Sequence, residues 1–163
     1  MDRLWAPWRM NYIRMGNHDG CFLCEKIKAG DEEKNLILFK NPSVAILLNI
    51  FPYNNGHLLI APSRHIPGPE EFCPEEVLEF WKALDHSLKA LRESLKPDGF
   101  NIGVNLGKVA GAGLESHFHL HVVPRWNGDT NFMPVLAEVK VLPQHLSETY
   151  RTLKSYFKEN PVR

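Results

Sequence analysis

The strongest constraint on the fold is the segment SHFHLHVVPRW, residues 116–126, in which histidines alternate with apolar residues. In a β-strand successive side chains point to opposite faces, so His117, His119 and His121 would share one face and the residues between them the other. The apolar face is the one that packs into a core. We therefore expect a strand with three imidazoles, spaced about 6.6–7 Å along the chain, on its polar face.

Other β-rich runs flank this strand in the sequence. Residues 35–62 contain three of them, separated by Asn41-Pro42 and by PYNNG at residues 52–56, which predicts an antiparallel meander. Residues 100–106, FNIGVNL, and about 135–142 are further candidate strands. Because strands follow strands, the sequence predicts an α+β fold with a mainly antiparallel sheet of about five strands.

One long helix is predicted over residues 75–95, because apolar residues recur there at steps of four and three. They are Val77, Trp81, Leu84, Leu88, Leu91 and Leu95. Pro74 suits the first helical position, and Pro97-Asp98-Gly99 ends the helix. We expect the apolar face to pack on the sheet, with a dimer seam as the alternative. A C-terminal helix is predicted over residues 143–158.

Length and charge exclude several classes of protein. The 163 residues fit a single domain, residues 1–163, of which 1–20 form an N-terminal arm. The formal net charge of zero provides no basic surface for a non-specific nucleic-acid binder. The longest unbroken apolar stretch, Val44–Leu48, is far short of the roughly 18 residues of a membrane-spanning helix. We expect neither a nucleic-acid nor a membrane partner, and a cytoplasmic location by default.

Three histidines on one face can be a chance polar face, a zinc site or a catalytic row. Zinc ligands converge at about 2 Å from the ion, so a single strand could supply only two neighbouring ligands. The catalytic interpretation uses imidazole as a nucleophile at neutral pH and as a proton donor to phosphate oxygens. Because a glycine-rich segment precedes these histidines, a chance polar face is the least favoured of the three interpretations.

That segment, GKVAGAG at residues 107–113, suits an anion. Gly107, Gly111 and Gly113 allow backbone N–H groups to approach a phosphate closely, and Lys108 adds a positive charge. A simple turn is the alternative interpretation. Near the N-terminus, Cys21 and Cys24 form a C-x-x-C pair, which together with an odd total of three cysteines indicates metal or redox use rather than a disulfide framework.

Two of these segments resemble the histidine triad superfamily of nucleotide hydrolases and transferases. HFHLHVV, residues 117–123, matches its H-x-H-x-H-hydrophobic-hydrophobic signature, and NNGHLLIAPSRHI, residues 54–66, matches its other recurrent segment. The resemblance spans about residues 21–125. LWAPWRMNYI near the start and PRWNGDTNFMPV, residues 124–135, look like the bacterial branch that includes diadenosine tetraphosphate phosphorylases.

The resemblance implies a nucleotidyl-histidine mechanism. In this family the middle histidine attacks the α-phosphorus of a nucleotide, and water or phosphate then resolves the intermediate. Carried over, His119 is the nucleophile, His121 binds the phosphate or leaving group, and His57 lies near the same phosphate. No catalytic metal is required for that attack. The family also implies a homodimer with a continuous sheet, and substrates with an AMP moiety.

Two amide side chains complete the site that the resemblance implies, and at one position the chain departs from the family pattern. Asn105 resembles the family's amide near the phosphates, and Asn49 the residue that holds the ribose hydroxyls. Many members carry Ser or Thr a few residues before the triad, where this chain has Gly113 and Leu114. A hydroxyl contact to the leaving group is therefore not assigned.

The resemblance also implies a structural zinc. Several bacterial relatives hold the metal with C-x-x-C, a histidine eight residues after the GH histidine, and the first triad histidine. Here those positions are Cys21, Cys24, His65 and His117. Four protein ligands suit a closed tetrahedral site. The alternative is a pair of ordinary thiols.

Three functions compete at this point. The first is cleavage of dinucleoside polyphosphates, with phosphorolysis of diadenosine tetraphosphate to ADP and ATP as the specific expectation and inorganic phosphate as acceptor. The second is hydrolysis of adenosine phosphoramidates or other AMP conjugates by the same histidines. The third is a zinc-stabilised nucleotide-binding module that regulates a partner.

Overall fold

A computed structural model describes residues 20–130 and 144–162 of the chain. Within them, five strands form one sheet with every neighbouring pair antiparallel. The strands are β1 (Ile37–Lys40), β2 (Val44–Leu48), β3 (Leu58–Pro62), β4 (Gly99–Val104) and β5 (Leu120–Arg125). The α+β class and the antiparallel five-stranded sheet are confirmed. The expected strand at 135–142 and residues 1–19 of the N-terminal arm lie outside the described residues.

The strand order β1-β2-β3-β5-β4 decides where the histidines lie. The first three strands form the expected meander, whereas β5 inserts between β3 and β4 and leaves β4 at the edge. In β5, His121 therefore has Leu59 of β3 on one side and Gly103 of β4 on the other. The histidine strand is an interior strand of the sheet, and the strands on both sides can add groups to its polar face.

Three α-helices flank the sheet: α1 (Phe22–Lys28), α2 (Pro74–Leu95) and α3 (Leu146–Glu159). Short 3-10 turns span Pro69–Glu71 and Lys108–Ala110. α2 begins at Pro74 as predicted, and Glu76 closes a capping box with Cys73. α3 begins three residues after the predicted Pro143. In the described part of the chain, no helix combines the length and apolar character needed to cross a membrane.

The sheet is buried on both faces. One cluster joins it to α2 and α3, and a second, on the opposite face, joins it to α1 through Leu23 and Ile27. Phe118 and Val122 belong to the first cluster, as the apolar side of the histidine run predicts. The imidazoles thus lie on the opposite face from α2, in agreement with the alternation of the sequence.

The predicted core face of α2 is wrong at its first two positions. Val77 is 40% and Trp81 is 63% exposed. Leu84 and Leu91 are buried as predicted, and Leu88 and Leu95 pack against the core cluster. The other buried positions are Phe80, Ala83, Ser87 and Ala90. Their spacing is also helical, but three of them are small residues, which let a helix pack closely and which a search for large apolar side chains passes over.

The two edges of the sheet differ. At the β1 edge, Lys154 of α3 donates hydrogen bonds from Nζ to the carbonyl oxygens of Ile37 and Leu38, at 3.1 and 2.9 Å. Tyr150 adds a third, from its hydroxyl to the Ile37 oxygen. Side chains of α3 therefore occupy main-chain acceptors that an incoming strand would use at this edge.

Candidate active site and metal centre

His119 is buried and held in one orientation. Its side chain lies just before β5, is 6% exposed, and has Nδ1 2.8 Å from the main-chain oxygen of His117. Because a carbonyl only accepts, Nδ1 carries the proton and the lone pair of the neutral ring is on Nε2. Burial lowers the pKa of His119, which favours that neutral form. The ring therefore has the protonation state of a nucleophile.

His57 and His121 form a hydrogen-bonded pair beside it. His57 is completely buried, and its Nδ1 accepts from the backbone N–H of Tyr53 at 3.0 Å. The proton of the neutral ring is then on Nε2, which lies 3.0 Å from Nδ1 of His121. By the same reasoning, a neutral His121 carries its own proton on Nε2. The pair forms a directed chain of N–H donors.

The three rings form a continuous row. The centroids of His119 and His121 are 5.0 Å apart, and those of His57 and His121 are 5.1 Å apart. Tyr53 stacks on His121 at 5.7 Å with an interplanar angle of 18°. A ring with an available lone pair thus stands next to a ring that can donate, which is the pairing needed to attack a phosphorus and neutralise its oxygens.

Asn49 contacts this row and Asn105 follows a strand beside it; the substrate-binding roles of both residues stay predictions. Asn49 donates from Nδ2 to Nδ1 of His57 at 3.3 Å and accepts from the N–H of Phe51 at 2.9 Å. Asn105 directly follows β4, two residues beyond the Gly103 that pairs with His121.

The glycine-rich segment makes a 3-10 turn before the histidine run. Gly107 and Gly111 have φ angles of 80° and 89°, a region that favours glycine. Lys108 is largely exposed and lies 3.6 Å from Glu115. Gly113 follows in irregular backbone. The segment thus presents an exposed, weakly paired lysine beside glycines at positive φ, and its anion-binding role stays a prediction.

The four predicted metal ligands converge. The candidate ligand atoms of Cys21, Cys24, His65 and His117 all lie within 4.8 Å of one another. Nδ1 of His117 is 3.2 Å from Sγ of Cys21 and 3.4 Å from Sγ of Cys24. Zinc bonds of about 2.3 Å to sulfur and 2.0–2.1 Å to nitrogen place tetrahedral ligand atoms roughly 3.5 Å apart. The cluster suits a metal ion of this kind.

The tautomer of His117 also suits a metal. Its Nε2 lies 2.9 Å from the carbonyl oxygen of Pro62, so Nε2 carries the proton and Nδ1 presents its lone pair to the two thiols. Burial raises the pKa of the Cys24 thiol, and a bound cation would displace that proton. The donor set and the protonation pattern agree.

His117 belongs to both clusters. Its ring points to the two cysteines, and its main-chain oxygen holds Nδ1 of His119. The sequence predicted a division of the histidine row between metal and phosphate, but it gave no sign of this backbone link. It also missed Tyr53, whose N–H orients His57; a contact made by a main-chain group leaves no trace in residue identity.

Comparisons with known proteins agree with this geometry. The family model described as HIT domain matches residues 30–128. An AP-4-A phosphorylase of Mycobacterium tuberculosis is 34% identical over 99% of this chain and 87% of that protein. A bis(5'-adenosyl)-triphosphatase of Dictyostelium discoideum is 30% identical over 55% of this chain and 59% of that protein.

Solved structures show the same fold. A zinc-bound histidine triad family protein from Mycobacterium smegmatis superposes with a TM-score of 0.64 at 29% identity, covering 86% of this chain and 94% of that one. A histidine triad nucleotide-binding protein from Sulfolobus tokodaii gives a TM-score of 0.64 at 23% identity, over 85% and 90% of the two chains. With its histidine row, its sheet and these relatives, the chain belongs to the histidine triad (HIT) family of nucleotide-processing proteins.

Proposed function

We propose that this protein cleaves dinucleoside polyphosphates, and specifically that it phosphorolyses diadenosine tetraphosphate to ADP and ATP. Nε2 of His119 attacks the α-phosphorus, the bond to the bridging oxygen breaks, and ATP leaves. Inorganic phosphate then attacks the same phosphorus, releases His119 and forms ADP. The observation that carries the proposal is the hydrogen bond from His119 Nδ1 to the His117 oxygen, because it leaves the lone pair on Nε2.

The neighbouring pair supplies protons and charge. His121 donates to a phosphate oxygen or to the departing ATP, and His57 restores that proton through its Nε2–H contact of 3.0 Å. Asn105, Lys108, Gly111 and Gly113 are proposed to bind the phosphates. Asn49 is proposed to bind the ribose hydroxyls, a role that it would share with its contact to His57.

The substrate class is supported by relatives rather than by geometry alone. The Mycobacterium tuberculosis relative, matched over nearly the whole chain, is named for phosphorolysis of AP-4-A, and the Dictyostelium discoideum relative for hydrolysis of a diadenosine triphosphate. Both names describe a dinucleoside polyphosphate as substrate of the relative. We propose the same substrate class for the present chain, together with a cytoplasmic location.

Product identification tests the proposal directly. We expect diadenosine tetraphosphate to give ADP and ATP in equal amounts, at a rate that depends on inorganic phosphate. AMP and ATP formed without phosphate would indicate a hydrolase instead. Cleavage confined to adenosine phosphoramidates would identify the AMP-conjugate hydrolase, and nucleotide binding without turnover of either substrate would identify a regulatory module.

We also propose that the four-residue cluster binds a structural zinc. Cys21 and Cys24 lie at the start of α1, whose Leu23 and Ile27 pack on the sheet, and His65 follows β3. A bound ion would supply a cross-link between α1 and the strand segments that carry His65 and His117. At the other end of α1, Nζ of Lys40 donates to the carbonyl oxygens of Ile27 and Ala29, both at 3.1 Å.

We propose that two copies of the chain form a homodimer by pairing along the edge strand β4. In residues 20–130 and 144–162, β4 pairs with β5 on one side and has no strand on the other. Ile102 and Val104 of β4 are 45% and 39% exposed, which is typical of a surface that a second copy covers. Because side chains of α3 occupy acceptors at the β1 edge, β4 is the edge that supports a continuous sheet.

Charge at this edge should separate the subunits. We expect the wild-type chain to elute with twice its 18.7 kDa mass in size-exclusion chromatography with light scattering, and Ile102→Glu/Val104→Glu to elute as a monomer. The buried edge cannot accommodate two carboxylates without unpaired charge. Trp81→Glu, on the exposed side of α2, is the comparison: dissociation by Trp81→Glu alone would move the interface to the helix seam.

A further inference from the structure

Asp129 is the centre of a hydrogen-bonded cluster just beyond the end of β5. Its side chain is 9% exposed, and it accepts hydrogen bonds from Nε and Nη2 of Arg125 at 2.6 and 2.8 Å. Further donors are Nδ2 of Asn54 at 2.8 Å and the backbone N–H of Trp126 at 3.1 Å. The Arg125 guanidinium holds the pKa of Asp129 well below its usual range. The group is a permanent, fully engaged carboxylate.

Asn54 connects this carboxylate to the turn between β2 and β3. It is 6% exposed, and its Nδ2 donates both to Asp129 and to the carbonyl oxygen of Pro124 at 3.1 Å. Its own main-chain oxygen accepts from the N–H of His57 at 3.2 Å. Asn54 is thus attached to the end of β5 by its side chain and to His57 by its backbone.

The residue before Asn54 orients the ring of His57. The backbone N–H of Tyr53 donates to Nδ1 of His57, and Nε2 of His57 then meets Nδ1 of His121. His121 lies four residues before Arg125 in the same strand. The cluster and the histidine pair therefore join the same two segments of chain at two points.

We propose that Asp129 is a positioning residue for the His57–His121 pair: by holding Asn54 it fixes the turn whose Tyr53 N–H keeps the proton of His57 on Nε2, directed at His121. Asp129 touches no reacting atom in this arrangement. The effect of Asp129 on the hydrogen bond between His57 and His121 does not depend on the proposed function, whereas its effect on turnover rests on that function.

Other contacts hold the turn less directly. Nδ2 of Asn49 also approaches Nδ1 of His57, but at 3.3 Å rather than the 3.0 Å of the Tyr53 N–H. On the α3 side, Thr149 donates to Oδ1 of Asn55 at 3.0 Å. Loss of Asp129 should consequently loosen the ring of His57 while the turn itself persists.

Nuclear magnetic resonance of ¹⁵N-histidine-labelled full-length protein tests the positioning without substrate. In the wild type we expect His57 as the Nε2–H tautomer with a protected proton. In Asp129→Ala that proton should exchange with solvent up to about tenfold faster, the equivalent of one weakened hydrogen bond. Glu32→Ala, which removes the ion pair with Lys154 at 2.8 Å, is the control and should leave the exchange unchanged.

An unchanged exchange rate in folded Asp129→Ala would overturn the proposal. Thermal unfolding establishes that the variant is folded. If Asp129→Ala does not fold, Asp129→Asn replaces it, because asparagine retains the size of the side chain and one acceptor oxygen. The His57 Nε2 proton must then exchange faster in Asp129→Asn than in the wild type, by a smaller factor than expected for alanine.

Steady-state kinetics provide a second test, because the ratio of the effects on kcat and KM distinguishes a positioning role from a purely structural one. We expect Asp129→Ala to lower kcat by about tenfold, the equivalent of one weakened hydrogen bond, with KM changed less. In a His57→Gln background the same change should cost nothing further. Equal losses in both backgrounds would contradict action through His57. Failure of the wild type to turn over any dinucleoside polyphosphate would instead refute the proposed function and leave the exchange experiment to decide the positioning.

Discussion

Replacement of His119 by asparagine is expected to abolish turnover of diadenosine tetraphosphate, with a loss of at least about 10³-fold in kcat. Asparagine can still donate to the His117 oxygen, which lies 2.8 Å from Nδ1 of the histidine, but it offers no nitrogen at the position of Nε2. The variant should therefore keep the local structure and lose only the nucleophile. AMP binding, measured by calorimetry, should remain within a few fold of the wild type.

A second histidine provides the matched control for this substitution. His145 caps α3 and accepts from the N–H of Ser147 through its side chain, a role that asparagine fills well. His145→Asn should retain full activity. In the wild type, rapid quenching with labelled substrate should also trap an acid-labile nucleotidyl adduct, absent from His119→Asn. An active His119→Asn variant would refute the assignment of the nucleophile.

The sequence predicted which histidines lie together, because alternation and motif depend only on residue identity. The apolar residues between them pack as expected, with Phe118 and Val122 in the cluster beneath α2. β5, however, begins only at Leu120, so His117 and His119 lie before the strand. Pairing partners decide where a strand starts, and the order of strands that supplies those partners is a long-range property.

What the sequence could not provide is the protonation pattern. The tautomers of His57, His117 and His119 are all set by main-chain groups, of Tyr53, Pro62 and His117 respectively. Every residue except proline has the same N–H and C=O, so only the folded backbone determines which imidazole nitrogen receives a proton. The carboxylate of Asp129 is a similar case, since Asn54, which donates to it, lies 75 residues away along the chain.

The shared position of His117 links the metal cluster to the nucleophile. A bound ion would fix the ring of His117 at Nδ1 while the Pro62 oxygen holds Nε2, which would leave the backbone of His117 little freedom. The carbonyl that holds His119 is part of that backbone. Loss of the metal is therefore expected to affect both the stability of the fold and the placement of the nucleophile.

Protein purified without added metal is expected to contain about one equivalent of zinc per chain, measured by inductively coupled plasma mass spectrometry. Removal with a chelator should lower Tm. At free zinc about 1,000 times Kd, binding adds about 4 kcal/mol to the folded state, which in a chain of this length corresponds to roughly 8–16 °C. Turnover should fall with the metal content and return when zinc is restored.

Two cysteine variants distinguish the metal from a general effect of thiol loss. Cys24→Ser removes a ligand that lies 3.2 Å from Nδ1 of His65 and should reduce zinc content, Tm and turnover together. Cys73→Ser changes an exposed cysteine at the N-cap of α2, where serine is at least as good a cap, and should leave all three at wild-type values. Zinc far below one equivalent in the wild type, or equal behaviour of the two variants, would contradict the structural metal. Zinc loss in Cys24→Ser without loss of turnover would retain the metal but refute its link to His119 through His117.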